Sequence, residues 1–166
     1  MIDTNTLHHI YTDKIRLIPK LKNFSKKYIH FYITHIQQDE INKINDVYKK
    51  SCINKIISII GIKRIPSSCM IISTDKPSKH GFIGSMIDMC ELVDDGDLNI
   101  LEKLQKPNLS NPMDNTADLS ILYTAVKKEM DYLITDDNHF ASMLKEMSKD
   151  IPNNLELKKN HDLDYF

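Results

Sequence analysis

The sequence predicts an α/β fold: a three-layer α/β/α sandwich with a central, mostly parallel sheet. Three observations lead there. Short apolar strands such as Tyr132-Leu133-Ile134 alternate with segments whose apolar residues recur at helical spacing, the pattern of strands joined by covering helices. Two strands end on carboxylates, at Ile2-Asp3 and at Thr135-Asp136-Asp137. The chain has 166 residues, 41% apolar and 27% charged, which suits one domain with a real core. Residues 1–166 are therefore expected to form a single domain, with 63–95 as an unassigned insertion or lid.

Met1 to Asp3 is expected to be the end of a very short strand. Thr4-Asn5-Thr6 offers N-cap chemistry for a helix through about Tyr11. Pro19 suits the first turn of a second helix to about Ile29, with Leu21, Phe24 and Tyr28 on its apolar side. His30 to Thr34 is rich in β-branched and aromatic residues and predicts a strand. Thr34 then caps a helix carrying Ile36, Glu40, Ile41, Ile44 and Val47, and Cys52 to Ile60 forms another, closed by Gly61.

Met70-Ile71-Ile72 predicts a strand, and Phe82 to Leu92 a helix or lid. Asp97 to Leu104 predicts a helix stopped by Pro107, and Asn108 to Asn115 a turn-rich loop. Asn115 or Thr116 caps a helix with Leu119, Leu122, Ala125, Val126 and Met130 as apolar positions. Asp131 to Thr135 is a strand, and Asp137 or Asn138 caps a helix through about Met147. Leu155-Glu156-Leu157 forms a last edge strand before a polar tail.

Composition excludes several classes. No apolar run approaches the roughly 20 residues that cross a bilayer, and no basic region leads into an apolar core at the N-terminus. Cys52, Cys69 and Cys90 are odd in number and widely spaced, unlike a disulfide framework or a zinc knuckle. They are expected as small buried apolar residues in a reducing, cytoplasmic setting without membrane contact. Net charge is only −1, but it is unevenly spread: Lys14 to Arg64 holds 12 basic against 3 acidic residues, and Ile65 to Phe166 holds 10 against 18. Acids that attract cations beside lysines that attract phosphate suit a nuclease, although solvated helix faces give the same counts.

Asp3 and Asp137 lie at strand carboxyl ends, where open α/β sheets bind ligands. Glu40 and Asp118 lie early in helices expected to start at the same rim. Hard cations such as Mg2+ or Mn2+ take oxygen ligands from carboxylates, and phosphodiester hydrolysis needs charge neutralisation and an activated water. Capping alone also explains acids at helix starts. Asp136 competes with Asp137 for the role, and Asp114 with Asp118.

Four ordered motifs resemble those of the PIN-domain ribonuclease family. They are Ile2-Asp3-Thr4-Asn5; Thr34 followed by Glu40-Ile41; Asp118, Ile121 and Ala125 at helical spacing; and Leu133, Ile134, Thr135, Asp137 and Phe140. Together they span residues 2 to 140. The resemblance implies a metal-dependent endoribonuclease in which Asp3, Glu40, Asp118 and Asp137 hold Mg2+ or Mn2+. Asn5, Thr135 and Asp136 would stand behind these ligands and orient them or the attacking water. Phe140 at the family's spacing favours Asp137, and Ile121 with Ala125 favour Asp118. It also implies RNA as partner, with a homodimer, an antitoxin or a ribosome-assembly partner as further expectations. A non-catalytic RNA-binding or assembly module on the same fold is the alternative. Residues 63–95 match no motif of the family. His8, His9 and His139 are expected as helix-surface histidines, and Ser67-Ser68-Cys69 shows no partner at a readable spacing.

Overall fold

A computed structural model describes residues 1–69, 90–92, 97, 100–101 and 112–165. They form a mixed α/β structure of helices and short parallel strand pairs. Strand β1 (Tyr32–Thr34) pairs in parallel with β2 (Lys63–Ile65), in the register Tyr32–Lys63, Ile33–Arg64 and Thr34–Ile65. Strand β3 (Ser67–Cys69) pairs with β4 (Cys90–Leu92), and β5 (Tyr132–Ile134) with β6 (Glu156–Lys158), both in parallel. The first residues of the chain connect two of these pairs. Ile2 N–H donates to the Tyr32 carbonyl, Asp3 N–H to that of Ile134, and Ile134 N–H to that of Met1, each at 3.0 Å. Ile2 thus bridges Ile134 in parallel, and residues 1–3 lie between β1 and β5.

Parallel neighbours need crossovers, and helices supply them. Between residues 1–3 and β1 run α1 (Thr4–Thr12) and α2 (Lys14–Lys27). Between β1 and β2 run α3 (His35–Asn42) and α4 (Val47–Ile60). Helix α5 (Pro112–Lys127) precedes β5, and α6 (His139–Met147) joins β5 to β6. Successive strand residues point to opposite faces, and the cores follow that rule. Met1 and Leu133 pack with Ile121, Leu122, Phe140 and Met147, on the side of α5 and α6. Their neighbours Ile2 and Ile134 pack with Leu7, Leu17, Leu21 and Ile53, on the side of α1, α2 and α4.

Several boundaries differ from expectation. The N-cap of α1 is Asp3, not a residue of Thr4-Asn5-Thr6; its side chain accepts from Thr4 N–H. Helix α2 starts at Lys14, with Pro19 inside it. Proline removes the bond to the carbonyl four residues back, here that of Ile15, whose residue is 87% exposed and open to water. The helix expected to reach Val47 ends at Asn42, and α4 begins anew where Asp46 Oδ1 accepts from Lys49 N–H at 2.9 Å. Helix α5 begins at Pro112, so residues 112–115 are helical and Asn115 and Thr116 lie inside it. Pro suits this first position, where no N–H bond is lost.

Lys63–Ile65, expected within an insertion, instead pairs with β1. Cys90–Leu92 is a strand rather than the end of a helix. Asp97, Ile100 and Leu101 are helical as expected. The expected strand Met70–Ile72 and the remainder of 70–89, with 93–96, 98–99 and 102–111, lie outside the described residues. Cys52 is half-buried rather than buried. The polar tail is a 3-10 helix, Asn160–Asp164, that buries Leu163 completely. No helix among the described residues is long and apolar enough to cross a membrane.

Gly61 closes α4 as expected, at φ +80°, with nothing within 4 Å of where a Cβ would stand. The cost of Gly61→Ala is therefore conformational alone, about 1 kcal/mol. Urea unfolding checks it; a loss above roughly 2 kcal/mol would mean the added methyl also meets a neighbour.

Candidate active site

Residues 1–3, β1 and β5 run side by side and deliver their carboxyl ends to one rim, where each is followed by a helix start. Asp3 ends the first strand segment and caps α1; its Oδ1 accepts from Thr4 N–H at 2.7 Å. Thr34 ends β1 and caps α3, with its hydroxyl accepting from Ile36 N–H at 3.2 Å. Gln37 completes a capping box by accepting from Thr34 N–H at 2.6 Å. Asp137 follows β5, and its Oδ1 accepts from His139 N–H at 2.7 Å at the start of α6. The positive ends of these helices partly offset the acids they meet.

Thr135 is the hub. Its hydroxyl donates to Asp3 Oδ2 at 2.8 Å and accepts from Asn5 Nδ2 at 3.0 Å and from Asp137 N–H at 3.1 Å. Asn5 Nδ2 also donates to Asp3 Oδ2 at 2.6 Å. Asn5 Oδ1 accepts from Asp136 N–H at 3.3 Å. Thr4 Oγ1 donates to Glu40 Oε2, which ties α3 to the start of α1. The structure thus brings Asp3, Asn5, Glu40, Thr135 and Asp137 to one place.

Asp3 is only 6% exposed. Its carboxyl is pushed up from 3.8 to about 6, first by burial, then by repulsion from Glu40 and Asp137, against the hydrogen bonds of Thr135 and Thr4. Among the described residues, no Lys or Arg pairs with Asp3, Glu40 or Asp137. An acid group left repelling itself in this way suits a divalent cation, and its donor atoms are the hard oxygens that Mg2+ and Mn2+ take. As the side chains stand, no three His, Cys, Asp or Glu among the described residues form a ready cage for an ion. Glu40 accepts through Oε2 and Asp137 through Oδ1, so each keeps a second carboxylate oxygen for an ion.

Three residues stand differently from expectation. Glu40 is the sixth residue of the eight-residue α3, and Asp118 the seventh of α5, so neither lies in the first turn of its helix. Asp118 is half-buried on α5, in helical register with the buried Ile121 and Ala125, and α5 packs against β3, β5 and α6. Asp136 turns to the 3-10 helix, accepting from Asn160 N–H at 2.9 Å and Asn160 Nδ2 at 2.7 Å. Its carboxylate anchors the end of the described chain, and only its backbone supports Asn5.

Sequence reasoning missed the clamp between Thr4 and Glu40, because neither the capping pattern nor the motif holding Thr4 shows which distant side chain it meets. It also missed His35, whose Nδ1 lies 3.0 Å from Ser67 Oγ. Ser67 is fully buried and His35 is 1% exposed, so no substrate reaches that pair. Burial holds the His35 pKa below its ordinary value, against the attraction of Asp39. The pair fastens α3 to β3.

Compared with known proteins, the chain matches no family model, no curated protein and no solved structure.

Proposed function

We propose that the chain is a metal-dependent endoribonuclease on a three-layer α/β/α fold of PIN-domain type. One observation carries this reading: a buried carboxylate, Asp3, shares a strand-end rim with Glu40 and Asp137, is repelled by both, and has no cation partner among the described residues. The alternation of Met1 with Ile2, and of Leu133 with Ile134, between two cores supports the layering.

Asp3, Glu40 and Asp137 would hold Mg2+ or Mn2+, with Asp118 as the fourth expected ligand. When bound, such an ion neutralises charge on the phosphodiester and lowers the pKa of a coordinated water. The chain's own residues position these ligands. Thr135 and Asn5 fix Asp3 Oδ2, and that leaves Oδ1 held only by Thr4 N–H. The Thr4 hydroxyl fixes Glu40.

Incubation of the full chain with labelled single-stranded RNA should give cleavage in Mn2+ or Mg2+ and none in excess EDTA. Glu40→Gln keeps the acceptor for Thr4 but removes the charge, and should lower turnover about a hundredfold, or roughly 2.7 kcal/mol. Turnover undiminished by EDTA would end this reading. A non-catalytic RNA-binding module is the second reading, favoured by the protein hydrogen bonds that already occupy Asp3, Glu40 and Asp137. Retained RNA binding without turnover in either metal supports it.

A further inference from the structure

A groove lies at the opposite ends of the strands. It is formed where residues 28–32 lead into β1 and residues 128–132 lead into β5, and its volume is about 500 Å³. A shallower hollow of about 300 Å³ continues it through the shared Ile29, His30 and Phe31. The acidic rim follows the carboxyl ends of these same strands, so the two surfaces are separated by the strand length of about 10 Å.

The groove combines two chemistries. Lys22, Lys26, Lys63 and Lys128 line the two hollows against the acids Glu129 and Asp131. Lys22, Lys26 and Lys63 form no ion pair among the described residues. The aromatic surface is also open: Tyr28 is 78% exposed and Tyr132 36%. His30 is exposed as well, and its ring meets that of Tyr32 edge-on at 6.4 Å. Tyr28 in particular buries little of its ring where it stands. Rings that stack on bases, set along a line of lysines that meets phosphates, are how single-stranded nucleic acid is held without reading its sequence.

We propose that this groove binds single-stranded RNA, with bases on Tyr28 and His30 and the backbone along Lys22, Lys26 and Lys63. The identity of the strand as RNA rests on the function proposed above; the groove itself does not. Such a surface would retain a strand on the face away from the acids, so that one molecule holds RNA at a distance from the rim.

Fluorescence anisotropy tests this with the full chain, a labelled twelve-uridine RNA and EDTA throughout, so that hydrolysis plays no part. Tyr28→Ala with His30→Ala should weaken binding at least tenfold and leave the salt dependence unchanged. Lys22→Gln with Lys26→Gln should weaken it similarly, and reduce the slope of log affinity against log salt by roughly 0.7 for each lost phosphate contact. Circular dichroism of both variants should match the parent. Affinity within twofold of the parent in both variants overturns the proposal, as does a parent that fails to bind at low salt. Tighter binding of the matching deoxythymidine strand overturns the assignment to RNA. A chain that binds RNA through this groove yet shows no metal-dependent cleavage keeps this inference and loses the previous one.

Discussion

Asp3→Asn is expected to abolish Mn2+-dependent cleavage and yet to stabilise the metal-free protein above neutral pH. The stability half follows from linkage. Below pH 3.8 the carboxyl is neutral in both folded and unfolded chains, so it costs nothing. Above about pH 6 it is charged in both, but in the folded state that charge is buried and repelled by Glu40 and Asp137. The folded chain binds the extra proton between those values, so stability falls as pH rises through about 6. A displacement from 3.8 to about 6 corresponds to about 3 kcal/mol. Asparagine does not titrate. It keeps an acceptor for Thr4 N–H, but presents an amide where Oδ2 accepted from Asn5 and Thr135. The Thr135 hydroxyl can rotate to accept, whereas the Asn5 amide must turn over.

The stability difference between variant and parent should therefore shift by about 2.4 kcal/mol in the variant's favour from pH 4 to pH 8, because part of the full change already falls below pH 4. Urea unfolding in EDTA at the two pH values measures it. A difference that is constant with pH would show that the Asp3 carboxyl is not held up by its surroundings. Cleavage should fall roughly a thousandfold, the rate equivalent of about 4 kcal/mol of lost charge stabilisation. Added Mn2+ should stabilise the parent by about 2.7 kcal/mol at a hundred times its dissociation constant, and the variant not at all. Equal stabilisation of both proteins would place the ion elsewhere.

Gln37→Leu is expected to be the more damaging of the two to the fold. The Gln37 side chain is fully buried. Its Oε1 accepts from Thr34 N–H at 2.6 Å, and its Nε2 donates to the Ile2 carbonyl. It therefore closes the cap of α3 and fastens residues 1–3 to the end of β1. Leucine has nearly the same size, so little cavity forms, but a buried N–H and a buried C=O lose their partners. Each costs about 1–3 kcal/mol, for a total of about 3–4 kcal/mol. Gln38→Leu is the natural control. Gln38 is 5% exposed, but it bonds only to Asn42 and Asn54, at 3.3 and 3.2 Å, and its Oε1 has no partner among the described residues. Its loss should cost less than about 1 kcal/mol. Equal costs for the two substitutions would show that the tie to Ile2 is not special.

Much of the fold was legible because local rules governed it. Thr34 capped its helix, Gly61 closed another, and the apolar run Tyr132-Leu133-Ile134 became a strand. Local rules failed where a distant residue intervened. Asp3 took the capping role from Thr4-Asn5-Thr6, because the strand that ends there meets β5 and aims its carboxylate back at the helix. Pro19 sits inside α2 because the carbonyl it leaves unbonded belongs to an exposed residue. Lys63–Ile65 joined the sheet because β1, not its own composition, supplied a partner.

The candidate site divides in the same way. The choice of Asp3, Glu40, Asp118 and Asp137, with Asn5 and Thr135 beside them, came from the resemblance of four ordered motifs to the PIN-domain family, added to acids placed at strand ends and on helices. Residue type and spacing alone placed Asp3 and Asp137 after strands. Tertiary contact decided what the acids face: Asp3 meets the Thr135 hub, while Asp136 meets Asn160. It also decided that Asp3 is buried and its acidity weakened. Capping and periodicity act over a few residues, so one chain position reports them. Burial and repulsion depend on groups more than thirty residues away, which only the packed chain brings together.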